Sequence, residues 1–131
     1  MMTPNQDLQP KPTVLVVEDE AMLLMVMAET LRDAGYEVWE AENGDVALTI
    51  LRDHPDMDIL ISDMRMPGMN GYQVAERARA LRPEIKVLMM TGYAHESAPG
   101  KQAGLPILYK PFDFNRLPSV VEGLLSGDHH L

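Results

Sequence analysis

Leu60-Ile61-Ser62-Asp63-Met64-Arg65-Met66-Pro67-Gly68-Met69-Asn70-Gly71 is the stretch that decides the reading of this chain. An apolar run, Ile59 to Ile61, ends abruptly at one carboxylate, and a loop with a proline and two glycines follows. A short apolar run bounded by turn residues reads as a buried strand. Asp63 therefore stands at the carboxyl end of a central strand, the edge where ligands bind in open α/β sheets. A single Asp at a strand end also has a plain explanation, because Asp caps turns readily. What else reaches the same edge decides between the two.

Upstream, Val14-Leu15-Val16-Val17 is an apolar run of the kind found in buried parallel strands, and it ends in Glu18-Asp19-Glu20. Ala21 to Ala34 reads as a helix with Gly35 as its stop. Its expected core face is Leu23, Val26, Met27, Thr30, Leu31 and Ala34, which turns Leu24, Met25 and Ala28 partly outward beside the acidic pair. Tyr36 to Ala41 alternates as a second strand, and Asn43-Gly44-Asp45 opens a helix through about Arg52. Asn43-Gly44 reads as turn chemistry rather than as a site.

Downstream, Asn70 is the expected N-cap of a helix in which Val74, Ala78 and Leu81 share a face, and Pro83 ends it. Val87 to Met90 is a fourth strand ending at Thr91-Gly92, and Ile107 to Tyr109 a fifth ending at Lys110-Pro111. Between them, residues 95 to 106 hold Pro99, Gly100, Gly104 and Pro106, poor material for a helix. Phe114 to Leu125 is the last helix. Pro118 removes a backbone donor in its expected second turn, so this helix starts late or kinks.

Strands alternating with helices predict an α/β fold with a doubly wound, five-stranded parallel sheet. In that topology strands one, three, four and five bring Glu18, Asp19, Asp63, Thr91 and Lys110 to one edge. Three carboxylates, a hydroxyl and an ammonium then converge on one crevice.

With 131 residues, one domain is expected, at residues 13 to 126, between a three-proline N-terminal tail at 1 to 12 and a short tail at 127 to 131. The 46% hydrophobic fraction is enough for a real core. A net charge of −9 without a local basic patch argues against a nucleic-acid partner. There is no cysteine, hence no disulfide framework and no thiol chemistry. No apolar run reaches membrane-spanning length and the N-terminus lacks a signal-peptide core, so a cytoplasmic domain with no membrane partner is expected.

The acidic pair Glu18-Asp19, Asp63 with Met66-Pro67-Gly68-Met69-Asn70-Gly71, Thr91-Gly92 and Lys110-Pro111-Phe112 together resemble a response-regulator receiver domain, the phosphoacceptor module of two-component signalling. The resemblance covers residues 13 to 126. It implies a flavodoxin-like (βα)5 fold of the single-domain type, acting on its own rather than through an attached output module. It implies Mg²⁺ as cofactor, with Asp19, Asp63 and the backbone carbonyl of Arg65 as ligands and Glu18 acting through water. Asp63 would accept a phosphoryl group from a histidine kinase or phosphotransfer protein, with Lys110 and Thr91 contacting the phosphate. Beyond its own phosphorylation and dephosphorylation no enzyme activity is implied. The resemblance also implies a cis peptide at Lys110-Pro111 and a docking face on the first helix, where Leu24, Met25 and Ala28 would meet the partner.

The need for a cation is physical. Carboxylates at ~4 Å and an effective dielectric of about 20 repel by roughly 4 kcal/mol per pair, and hard oxygen ligands that must also touch phosphate suit Mg²⁺.

Some positions depart from the family pattern. The position of the usual aromatic switch residue is Ile107, while Tyr109 points to the other face. Thr91-Gly92-Tyr93 resembles a subgroup whose fourth helix is shortened or irregular. Two alternatives remain: an interaction module of the same fold that is never phosphorylated, and a receiver fragment of a hybrid kinase. A phosphatase of similar topology would need a second Asp two residues after a nucleophile on strand one, and Glu18-Asp19-Glu20 does not supply that pattern. A flavin site would need a hydroxyl- or glycine-rich loop there, which is also missing. His54, His95, His129 and His130 read as bystanders.

Overall fold

Five strands form one parallel sheet in the order β2-β1-β3-β4-β5. The computed structural model describes residues 11 to 92 and 105 to 127. The strands are β1 (Thr13–Val17), β2 (Glu37–Ala41), β3 (Ile59–Asp63), β4 (Lys86–Thr91) and β5 (Ile107–Tyr109). The helices are α1 (Ala21–Asp33), α2 (Gly44–Asp53), α3 (Gly71–Leu81) and α4 (Leu117–Leu125), the last preceded by a 3-10 turn at Phe114–Arg116. Most of the stretch from 95 to 106 lies outside the described residues, as do Tyr93, His95, His129 and His130.

The sheet is covered on both faces, which is why its central strands are apolar without interruption. Leu15, Val17, Leu60, Val87 and Met89 meet α2 and α3 on one side. Their chain neighbours Val14, Val16, Ile59, Ile61, Leu88 and Met90 meet α1 and α4 on the other. Many of the eleven methionines belong to this core: Met27, Met57, Met89 and Met90 are fully buried. From β1 the chain moves outward to β2, then crosses back to β3 on the opposite side of β1. That reversal opens a crevice at the carboxyl ends of β1 and β3.

Local signals set the helix ends. Asn70 Oδ1 accepts from the Gln73 amide at 2.9 Å, and Gln73 Oε1 accepts from the Asn70 amide at 2.9 Å, a complete capping box at the start of α3. Pro118 sits in the first turn of α4, where a missing N–H leaves no bond unmade, so that helix starts late at Leu117. In α3 the buried row is Val74, Ala75 and Ala78, while Leu81 in its last turn is exposed. The Lys110-Pro111 peptide is cis, as expected.

The expectation for α1 needs correction. Its buried residues are Leu24, Met27, Ala28 and Leu31, and Ala34 is an exposed C-cap. Leu24 and Ala28 therefore belong to the core packed against α4, not to an outward face. The helix is rotated from the expected setting by about one residue, roughly 100°. The physical reason lies in Ala21-Met22-Leu23-Leu24-Met25-Val26-Met27-Ala28. Eight successive apolar residues define no unique stripe, so packing against the sheet and α4 chooses the face. Met25, at 45% exposure, keeps its outward position and is joined by Met22 at 73%.

This assignment sets an expected outcome. Leu24→Ala should cost ~2–5 kcal/mol of unfolding free energy in urea, as for a truncated core leucine. Met25→Ala should stay within about 0.5 kcal/mol, as for a surface position.

Candidate functional site

The crevice at the carboxyl ends of β1 and β3 collects the residues singled out in the sequence. The Glu18 amide donates to the Ala41 carbonyl at 3.1 Å, so the β1–β2 pairing runs one residue past Val17 and carries Glu18 to the sheet edge. Glu18 is fully buried, whereas Asp19 is exposed. Glu20 is the N-cap of α1 and makes no side-chain cap bond, whereas Glu18 and Asp19 stand before the helix and join Asp63. Asp63 closes β3 and is 7% exposed. Oxygens of Glu18, Asp19 and Asp63 lie within 4.8 Å of one another.

One ammonium joins two of the three. Lys110 Nζ donates to Glu18 Oε1 at 3.0 Å and to Asp63 Oδ2 at 2.9 Å. Lys110 follows β5 directly, and its own amide donates to the Thr91 carbonyl at 2.7 Å. The remaining carboxylate oxygens are also engaged: Glu18 Oε2 accepts from the Glu20 amide at 3.0 Å, and Asp63 Oδ1 from the Arg65 amide at 3.2 Å. Thr91 ends β4, is 4% exposed and is paired in register with Tyr109. The five residues are thus held by four strand ends.

The charge balance is unequal. Burial pushes the Glu18 carboxyl from 4.5 up to about 7, and the Asp63 charge pushes the same way, although the Glu20 amide and the Lys110 contact pull it down. For Lys110, burial alone would lower the ammonium, but hydrogen bonds and charge from Asp63 and Glu18 outweigh it and raise the group. Three carboxylates against one ammonium leave room for a cation. Oxygens on opposite sides of a Mg²⁺ at ~2.1 Å would stand ~4.2 Å apart, close to the spread seen here. The donor set is all oxygen and fits a hard divalent ion.

Glycines shape the crevice in ways the sequence reading did not extract. A Cβ on Gly71 would collide with the carbonyl oxygen of Asp63 itself. Gly71 is the first residue of α3, where nearly any other residue helps a helix more. A glycine at that position is the signal that could have been read as close approach. Gly68, at φ 78°, occupies the left-handed region in the intervening turn. Beside the acidic trio lies a crevice of about 470 Å³ bordered by Asp19, Glu42, Asn43, Gly44, Pro67 and Met69 among others. Of the bystander histidines, His54 stacks on Trp39 with ring centroids 4.0 Å apart, a packing role.

Comparison with known proteins agrees with this geometry. The sequence profile of the response regulator receiver domain matches residues 14–122. The chain is 36% identical over 126 residues to the sensor kinase CckA of Brucella abortus, a match covering 91% of this chain and 13% of that one. It is 31% identical over 115 residues to the response regulator receiver protein CpdR of the same bacterium, with 86% and 95% covered. The response regulator protein TrrA of Thermotoga maritima, solved in complex with Mg(2+)-BeF, superposes with a TM-score of 0.76 at 32% identity, covering 86% of this chain and 98% of that one. Among curated relatives, the chain spans only 13% to 27% of several, CckA included.

The buried Glu18 sets a pH dependence. Its folded pKa lies above the unfolded value, so the folded state binds the proton more tightly. Stability contributed by this group is full below 4.5 and is lost as pH rises from 4.5 through about 7. The loss amounts to roughly 3 kcal/mol over that window. Without divalent metal, Tm should fall between pH 5 and 7.5, and saturating Mg²⁺ should flatten the fall by favouring the ionised form. A metal-free Tm that is level or rising across this range contradicts the assignment.

Proposed function

Because the chain belongs to the response regulator receiver domain family, we propose that Asp63 accepts a phosphoryl group from a histidine of a kinase or phosphotransfer protein, and that this switches binding to a downstream protein. The observation that carries the reading is the Lys110 ammonium held between Asp63 and buried Glu18. That contact places a positive charge at the nucleophile, where phosphate oxygens arrive.

The chemistry asks mainly for positioning and charge neutralisation. A carboxylate oxygen of Asp63 attacks phosphorus. The new O–P bond forms as the P–N bond to the donor histidine breaks, and the electron pair leaves with the imidazole nitrogen. The Arg65 amide, bonded to Asp63 Oδ1, fixes the carboxylate plane. Lys110 exchanges its bond to Asp63 for one to a phosphate oxygen. The Thr91 hydroxyl donates to another. Bound Mg²⁺ would supply further neutralisation of the phosphate, held by Asp19, Asp63 and the Arg65 carbonyl. Glu18, whose two oxygens are already engaged, suits an indirect contact through water. The site performs its own phosphorylation and dephosphorylation and no other reaction.

The docking face for the phosphodonor is the exposed part of α1, and Met22 and Met25 stand there in place of Leu24 and Ala28. Both follow the acidic pair within about two turns, and methionine adapts to varied apolar partners. No described helix is long and apolar enough to cross a membrane. Such a domain would work in the cytoplasm beside its kinase. The resemblance to CckA favours a second setting, in which the same residues form the receiver of a longer kinase. The reaction at Asp63 is common to both.

The test uses acetyl phosphate with Mg²⁺ and intact-protein mass. The wild type gains one phosphoryl group, chelation of the metal abolishes the gain, and Lys110→Ala slows it by ~10²-fold or more. Undiminished labelling of Asp63→Asn would sink the assignment. For the docking face, Met22→Glu with Met25→Glu should slow transfer from a phosphohistidine donor and spare labelling by acetyl phosphate.

A further inference from the structure

We propose that Gly44, at the start of α2, is a positioning residue for the loop that holds Asp63 and offers the Arg65 carbonyl to a metal; this rests on the phosphoacceptor reading above. Gly44 lies in a different βα unit from Asp63, and nothing in its turn-like sequence context points to the site. Its backbone needs no glycine: a positive φ is found at Gly35, Gly68 and Gly127, not here. As the first residue of α2, behind an Asn43 side chain that accepts from the Val46 amide at 2.9 Å, it would be better served by almost any other residue. What it provides is space.

A Cβ at position 44 would stand 2.9 Å from Cβ of Met69, 3.0 Å from its Sδ and 3.0 Å from Cγ2 of Val74. Met69 Sδ can rotate away, but its Cβ is fixed to the backbone and moves only with the loop. That loop has little freedom to absorb a push. At its start, the Met64 amide donates to the Met90 carbonyl at 2.8 Å. At its end, the Gly71 amide donates to the Met64 carbonyl at 3.1 Å, and Asn70 is bound into the capping box. Gly71 cannot retreat, because it already lies against the Asp63 carbonyl. Displacement at Met69 therefore passes to residues 65 to 68. There the Arg65 amide holds Asp63 Oδ1, and the Arg65 carbonyl faces its proposed metal role. The absence of one methyl group on α2 thus lets the loop seat at its working depth.

A purely structural role would make the same contact and give a different result, so the test reads metal affinity as well as stability. Gly44→Ala is compared with wild type by calorimetric Mg²⁺ titration, by acetyl phosphate labelling at saturating Mg²⁺ and by Tm. The expected outcome is a Mg²⁺ Kd weakened ~10-fold, the scale for groups that act behind the ligands, together with slower labelling. Met69→Gly removes the opposing Cβ, and in that background Gly44→Ala should have a smaller effect on Kd. Should Gly44→Ala fail to fold, Met69→Ile crowds the same gap from the loop side with α2 untouched, because its second Cβ substituent adds bulk beside Gly44, and it should weaken Kd in the same direction. A lowered Tm with unchanged Kd and labelling in Gly44→Ala, or an unchanged Kd in Met69→Ile, overturns the inference. If the wild type itself neither binds Mg²⁺ nor takes the label, the phosphoacceptor reading fails instead.

Discussion

The Lys110 ammonium, bonded to Asp63 Oδ2 at 2.9 Å and to Glu18 Oε1 at 3.0 Å, is the contact on which the crevice depends. Without it, buried Glu18 and nearly buried Asp63 would lose the ammonium that bridges their carboxylates. Removing one partner of such a cluster leaves an isolated buried ion, which is far more costly than the cluster is stabilising. Among the described residues this one ammonium stands against three carboxylates, and burial still pushes the Glu18 carboxyl up in spite of it. The imbalance is useful. It suits the site to a divalent ion and, on the proposed reading, to the phosphate that Asp63 would accept, with the Lys110 ammonium beside it.

The fold exists around that edge in a specific sense. Only a parallel sheet delivers several carboxyl ends to one side, and only helices on both faces allow the central strands to be apolar up to the point where they emerge. The reversal between β1 and β3 puts Glu18 and Asp63 on neighbouring strands. The depth of the crevice comes from missing side chains: Gly71 against the Asp63 carbonyl and Gly44 against Met69. Both glycines open helices, and neither contributes a functional group. Close packing at these two points converts the geometry of α2 and α3 into the geometry of the carboxylate.

Much of this was legible in the residues. The apolar runs of β1, β3 and β4 are short, continuous and sharply ended, so strand ends and site residues could be read together. Asn70 announces the start of α3 by side-chain chemistry alone, and Pro118 signals a late start or a kink in α4, of which the structure takes the late start. The face of α1 was not legible, because Ala21 to Ala28 is apolar all round and only the neighbouring α4 decides which side is covered. That misassignment carried Leu24 and Ala28 into an expected docking surface, whereas they lie in the core. Gly44 was passed over for a related reason. A glycine after asparagine has an adequate local explanation, and the contact that gives it another comes from Met69, 25 positions away in the chain. Local pattern reports what a segment can do alone; it is silent where a distant element makes the choice.

The central claim is that Asp63, among all the carboxylates, forms the covalent bond to phosphorus. Borohydride reduces an aspartyl phosphate to homoserine, and peptide mass mapping of the reduced protein locates that change. After phosphorylation in Mg²⁺, the account predicts homoserine at position 63 alone, with Asp19 and Glu18 unaltered. Homoserine at Asp19 or another aspartate, or a stable phosphate ester on a hydroxyl such as Ser62 or Thr91, would contradict it.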